Sequence, residues 1–264
     1  MDSLALKLVL TPVLIGTASL AGRWWGPALS GWLVGLPLTS APVAFFLALT
    51  HGAAFAAAVA VGTLAGAISQ AAFGLTYGWL AFRWDWLPTV LASSLAFLAS
   101  TIVLQHLTLP LVPLFLIVTV VLLVALRLMP ERAEAANSVV EPLPSWDIPA
   151  RMVVATVFVL LLTGVAPILG AQLTGLLAPF PLYAAILTVF THQLQGPVPA
   201  ALVLHGLLLG LFAFAGFFVM LAALLEWVGI VPAFVTAIAT ALAIQAASLW
   251  VLRRSRRELR GKEC

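Results

Sequence analysis

Along this chain, long apolar runs of about membrane-crossing length alternate with short clusters of Arg, Trp, Gly and Pro. A hydrocarbon core about 30 Å thick needs about 20 residues of helix. On that ruler the pattern predicts nine spans, at 4–21, 28–50, 53–82, 88–106, 110–128, 152–167, 172–194, 199–225 and 231–252. Two of them are interrupted. The second carries Gly35-Leu36-Pro37-Leu38-Thr39-Ser40-Ala41-Pro42, a hydroxyl-bearing break inside an apolar run, and the seventh carries Pro179 and Pro181 with Tyr183 beside them. Proline deletes a backbone donor and clashes with the preceding turn, so each break frees carbonyls. Inside a bilayer these must be satisfied by protein, water or ligand.

The two breaks fall in register. Sliding the chain by 144 positions sets 31–38 (GWLVGLPL) on 175–182 (GLLAPFPL) and Pro37 on Pro181. The same shift pairs Lys7 with Arg151, Gly26 with Gly170, Gly52 with Gly196, Gly62 with Gly206, Gly66 with Gly210, Phe73 with Phe217 and Pro88 with Pro232. Chance gives about half a Gly-Gly coincidence over roughly ninety pairs at this composition, against five here. The pattern therefore reads as an internal duplication. Four spans, one unpaired span and four more place the second copy upside down relative to the first. The expected organisation is a four-helix repeat at 1–107, a connecting helix at 108–128, a polar linker at 129–148, an inverted four-helix repeat at 149–252 and a basic tail at 253–264.

Charge sharpens that arrangement. Loops rich in Lys and Arg stay in the cytoplasm, and following nine spans puts Arg23, Arg83, Arg127, Arg132, Arg151 and the tail on one side, with only Lys7 on the other. The expectation is a bacterial inner-membrane protein with its N-terminus outside and its C-terminus cytoplasmic. Tryptophans in Arg23-Trp24-Trp25 and Arg83-Trp84-Asp85-Trp86 suit the membrane interface.

Composition closes off other classes. At 63% hydrophobic and 8% charged residues, with a mean hydropathy of +1.17, the chain reads as an all-α polytopic membrane protein. Its net charge of +3 comes largely from the basic tail, which sets topology and touches anionic lipid rather than nucleic acid. The single cysteine, Cys264, leaves no disulfide framework, and no metal-ligand spacing, Walker loop, HExxH, GxSxG or paired carboxylate appears. No enzyme, metal or cofactor is expected. The first twenty residues could pass for a signal peptide, but the matching helix near 151–168 lies where nothing could be cleaved.

Few polar groups remain inside the spans. Matching Gly/Pro-interrupted spans are the best sequence pointer to a transporter's midplane site, so Pro37, Thr39, Ser40, Pro42, Pro179, Pro181 and Tyr183 are the candidate substrate contacts. Gln70 and Gln245 join them, because a buried amide needs a partner across a helix interface or a cavity. Serines and threonines such as Ser93, Thr101, Thr236 and Thr240 bond back to their own helix. His205 is the one titratable group deep in a span and the candidate for proton coupling; its alternative is a neutral histidine bonded to a carbonyl. Apart from Lys7 and Arg127, each near the end of its span, the spans hold no Asp, Glu, Lys or Arg, which favours small neutral, weakly acidic or amphipathic, lipid-like substrates over strongly charged ones.

Each half resembles the small four-helix bacterial membrane proteins of the GlpM type. The resemblance rests on a lysine in an opening apolar helix (Leu6-Lys7), a Gly-containing second helix leading to a proline (Gly31 to Pro37), the exit His51-Gly52 and a proline opening the last helix (Pro88). It covers most of 4–104 and, more faintly, 148–248; it implies a four-helix unit and no substrate. The four-one-four plan is similar to that of fused fluoride channels, without their pore motifs. The expected function is transport by alternating access between the two repeats. A non-transporting accessory subunit of an envelope or lipid-metabolism complex is the alternative, and a channel is third. Expected partners are the lipid bilayer, a small-molecule or lipid substrate, and a second copy or a membrane-complex subunit.

Overall fold

The computed structural model describes residues 35–130 and 146–260, with 8–9, 11–13, 16 and 20; for Asp147, Arg151 and 249–260 only the backbone is described. Eight helices follow the first turn: α1 (Ser40–His51), α2 (Ala53–Leu80), α3 (Trp86–Leu104), α4 (Leu111–Leu128), α5 (Asp147–Leu177), α6 (Leu182–Gln195), α7 (Pro197–Val228) and α8 (Ile230–Arg260). Six of them, α2, α3, α4, α5, α7 and α8, are long and apolar enough to cross a membrane. The protein is a multi-pass, all-helical membrane protein.

Two helices form the centre. The membrane-length windows of α2 and α7 are each 61% buried, against 22–28% for α3, α4, α5 and α8. Small residues allow this. Val59, Ala60, Gly62, Gly66 and Ala67 on α2 and Val203, Leu204, Gly206, Leu207 and Gly210 on α7 are buried, and small side chains let backbones approach where lipid offers no hydrophobic drive for helix association. Helix α4 packs against both α2 and α7. A satellite core of Val43, Phe46, Leu47, Val59, Val159 and Leu162 ties α1 to α2 and α5.

The helix junctions follow from glycine. Between α1 and α2, Gly52 has φ 88° and ψ 169°; between α6 and α7, Gly196 has φ 89° and ψ −175°. That region is open essentially to glycine alone. In both junctions the glycine N–H closes the preceding helix, bonding Ala48 O at 3.2 Å and His192 O at 3.1 Å. The two turns sit at opposite ends of the bundle. Pro197 shares a surface recess with Arg83 and Asp85, which follow α2, whereas Gly52 precedes α2. The Arg83 end also collects the end of α4, where Trp79 Nε1 donates to Leu128 O at 2.9 Å, and the start of α5, where Trp146 stacks edge-on against Phe190 at 4.8 Å.

The nine-span expectation is modified in several places. The helix that opens at Asp147 passes Pro167 and breaks at Gly170, within the expected gap between the sixth and seventh spans. The φ of 73° and ψ of 168° at Gly170 are non-helical and close to those of the Gly52 junction, and a second helical stretch runs on from there to Leu177. A proline late in a helix is tolerated where neighbours resatisfy the freed carbonyls. What was expected as a seventh span at 172–194 is the last turns of α5, a break at 178–181, and α6. At 12 and 14 residues, α1 and α6 are too short to cross a bilayer alone. Helix geometry begins at Asp147 within the expected linker, and α8 continues through the expected tail as far as Arg260. Most of the expected first span, residues 28–34 of the second, and Lys7, Arg23 and Arg132 lie outside the described residues.

Candidate functional site

Both breaks use the same backbone device. Leu38 N–H bonds Leu36 O at 2.7 Å across Pro37, and Leu182 N–H bonds Phe180 O at 2.8 Å across Pro181. Pro181, at φ −81° and ψ 53°, has the geometry of an inverse γ-turn. The next helical bond also repeats, Ala41 N–H to Pro37 O at 2.9 Å and Ala185 N–H to Pro181 O at 2.6 Å. Proline supplies the fixed φ and, lacking an N–H, leaves no buried donor at the turn. One γ-turn thus starts α1 and the other starts α6.

The turns face each other at the centre of the bundle. Ser40, 1% exposed, donates from Oγ to Ala178 O at 2.9 Å, so a hydroxyl of the first break satisfies a carbonyl freed by the second. Each break also rests on a central helix through a glycine. A Cβ on Gly35 would overlap the backbone of Gly210 on α7 and reach Leu207 O at 2.9 Å; a Cβ on Gly66 of α2 would overlap the Pro179 ring and reach Leu176 O at 2.9 Å. These contacts correspond under the 144-residue shift, since Gly35 falls on Pro179 and Gly66 on Gly210.

Between the breaks lies a cavity of about 20 Å³, room for about one water molecule. Most of its walls come in pairs separated by 144 residues: Leu36 with Phe180, Leu38 with Leu182, and Thr39 with Tyr183. Ser40 with Ala184 and Gln70 with Phe214 make five pairs, and Pro179 and Pro181 line the cavity without their counterparts Gly35 and Pro37. The backbone is matched and the chemistry is not. Ser40 and Gln70 carry polar groups where their counterparts are Ala184 and Phe214. Gln70 is 6% exposed and its Oε1 has no hydrogen-bond partner, so a buried acceptor borders the cavity unsatisfied. Such an orphan costs about 1–3 kcal/mol.

The other sequence candidates disperse. Pro37 forms the first γ-turn and Pro42 is buried one turn into α1. Gln245, 4% exposed on α8, and His205, half-buried on α7, do not line the cavity. Thr63, Ser93, Thr236 and Thr240 bond their own helix four residues back, as expected of such residues. Thr101 differs and donates to Ser69 Oγ at 3.0 Å, joining α3 to α2.

A second polar contact was not anticipated from the sequence. Tyr77 Oη lies 3.2 Å from His192 Nδ1, and His192 also hydrogen-bonds the Ala81 backbone and lies near Asp85. Tyr77 continues a run of rings from the break, with Phe180 edge-on to Phe73 at 6.5 Å and Phe73 tilted on Tyr77 at 6.1 Å. At its far end an open recess carries Arg83, Asp85 and His192. The sequence signal existed only as two polar residues 115 positions apart; nothing local joins them.

Among the described residues no three His, Cys, Asp or Glu side chains gather in a way that could hold a metal ion. No protein-family model matches the chain, and neither does any curated protein or any solved structure.

Proposed function

We propose that the chain is an inner-membrane transporter in which two inverted repeats, four spans each around α4, move a small neutral, weakly acidic or amphipathic solute past a site between their broken second helices. The observation that carries this reading is the cavity at the paired breaks. Most of its walls are 144-related residues, and Gln70, whose buried Oε1 has no hydrogen-bond partner, lines it. Inverted-repeat transporters place their site at the midplane between discontinuous helices. Opposite placement of the Gly52 and Gly196 turns supports inversion. Gathering of Arg83, Arg127 and the start of α5 at one end supports a cytoplasmic assignment for that end, with the N-terminus outside and the C-terminus inside.

On this reading the described state is closed. The cavity admits about one water, and the Gly35–Gly210 and Gly66–Pro179 contacts seal the crossing. Opening would part the two γ-turns and break the Ser40–Ala178 bond. Gln70 and Thr39 would then offer hydrogen bonds to a solute without a formal charge, while Ser40 serves as the latch of the closed state.

The test is solute-driven swelling of proteoliposomes containing the full chain, with glycerol, urea and acetic acid as separate probes. Uptake above that of protein-free vesicles is expected for at least one probe, and the double substitution P37A/P181A should abolish it while leaving the elution profile and helicity unchanged. Uptake unchanged by the double substitution would overturn the site. The same tight crossing favours a second reading, an accessory subunit of a membrane complex whose prolines are structural; it predicts no uptake with any probe and stable co-purification with another membrane protein.

A further inference from the structure

A second space among the described residues is larger than the one at the breaks. A cavity of about 340 Å³ lies beside α2, between its Ala58, Gly62 and Ala65, the α3–α4 connection and α4 at Leu114 and Ile117. That volume is at the small end of the range for ligand pockets, and its apolar lining is typical of them. We propose that this cavity binds one acyl chain of a bilayer phospholipid, with the headgroup at the α3–α4 connection.

Position, length and polarity point to that occupant. Thr101 meets Ser69 and Trp79 meets Leu128, which fixes the register of α3 and α4 against α2 and puts the 105–110 connection beside the first half of α2. The groove therefore runs from a helix connection toward the middle of the bundle. From Ala58 to Ile68 is ten residue steps, about 15 Å of helix, which is half of a hydrocarbon core about 30 Å thick and so the depth of one leaflet. Its polar side chains, Thr108 and Gln172, sit at the connection end; Gln172 Nε2 donates to Gln105 O at 2.9 Å and holds that connection in place. Leu107 and Ile117 at the lip are 51% and 42% exposed, so the opening faces the bilayer, where acyl chains are the abundant apolar solute.

The matching stripe on α7 shows what makes the space. Positions 58, 61, 65 and 68 have the same graded exposure as 202, 205, 209 and 212, but Ala58, Val61, Ala65 and Ile68 are opposed by Leu202, His205, Leu209 and Phe212. Side-chain volume is missing on α2 alone. This inference stands whether or not the chain transports a solute.

The experiment uses the full chain in phosphatidylglycerol vesicles doped with a phosphatidylglycerol carrying a diazirine midway along one acyl chain. After irradiation, adducts are mapped by peptide mass spectrometry. Several-fold higher yield is expected on 58–68 and 114–117 than around Leu91 and Leu95, which face lipid openly at 56% and 66% exposure. A58L/A65L, which copies the leucines of α7, should cut groove labelling at least fivefold and leave labelling at Leu91 and Leu95 unchanged. Ile117→Trp, on the exposed lip, should do the same without touching α2. Equal labelling of groove and open face, labelling unchanged by both variants, or absence of groove labelling with cross-links to a second chain would each overturn the proposal.

Discussion

The first break, 35–40, and the second, 179–184, share a backbone and differ in chemistry. Each turns across a proline by an i to i+2 hydrogen bond, starts a short helix, ends that helix at a glycine of φ near 88°, and lays its turn on a central helix at a glycine. Yet the first contributes Ser40 and faces Gln70, whereas the second contributes Ala184 and faces Phe214. Turn geometry tolerates few alternatives, because only glycine and proline supply those conformations without strain. Cavity walls tolerate many. The likeness of the breaks is thus a statement about folding, and their difference is where a functional reading has to rest.

The severest way to break the comparison is at the glycine contacts. Gly35→Ala drives a methyl into the backbone of Gly210, and Gly66→Ala drives one into the Pro179 ring. Overpacking of this kind costs about 1–3 kcal/mol, and the substitution facing backbone, which cannot rotate away, should cost more. Gly74→Ala, whose Cβ would lie 3.7 Å from Leu208 Cδ2 in ordinary contact, is the control and should change stability by less than about 1 kcal/mol. Thermal unfolding in detergent orders the three; equal stability of all three would refute the close approach.

Next come the junctions. Gly52→Ala and Gly196→Ala each force a side chain into the glycine-only region at an expected cost of about 1–3 kcal/mol. Neither Cβ meets another atom within 4 Å, so the cost is conformational and should be nearly equal at the two sites. A large inequality in melting temperature would separate the junctions energetically despite their matching angles.

These expectations also show what was legible in the chain. Gly52 and Gly196, Pro37 and Pro181 were readable because their chemistry constrains the backbone locally, and the shift of 144 residues aligned them. The long apolar runs of α2, α3, α4, α7 and α8 were readable by hydropathy and length. That the helix passes Pro167 and breaks at Gly170 instead was not, since whether a proline ends a helix depends on neighbours that resatisfy its carbonyls. Gln70 was singled out because an amide cannot hide in its own helix. Gln245 was singled out on the same argument, and the fold sends it elsewhere. The Tyr77–His192 contact and the groove beside α2 depend on tertiary placement; a stripe of Ala58, Val61 and Ala65 reads in sequence as an ordinary small-residue packing face.

Milder substitutions sharpen the contrast between the two walls. Ser40→Ala removes the hydroxyl that caps Ala178 O and makes the position the same as Ala184. It should cost about 1 kcal/mol, the net worth of a typical hydrogen bond, with somewhat more if the carbonyl is left bare. Under the transport reading it also loosens the closed state, so uptake of a permeant probe should rise as stability falls. Loss of stability with no change in uptake would make the bond structural only.

The subtlest test is Gln70→Leu, because its two readings agree on stability and part on uptake. Gln70 is buried with an unsatisfied Oε1, and an apolar replacement of similar size removes an orphan acceptor. If the amide has no task, the variant should be more stable by about 1 kcal/mol and otherwise indistinguishable. If the amide binds solute in the opened site, the same gain in melting temperature should accompany loss of uptake, since the walls would then match Phe214 in polarity and offer a permeant no hydrogen bond from α2. A fall in stability would mean that a bound water already satisfies Gln70 in the closed cavity, because removing the amide would then strip that water of a partner. Stability and uptake measured on one preparation therefore distinguish an idle polar residue, a solute contact and a water site.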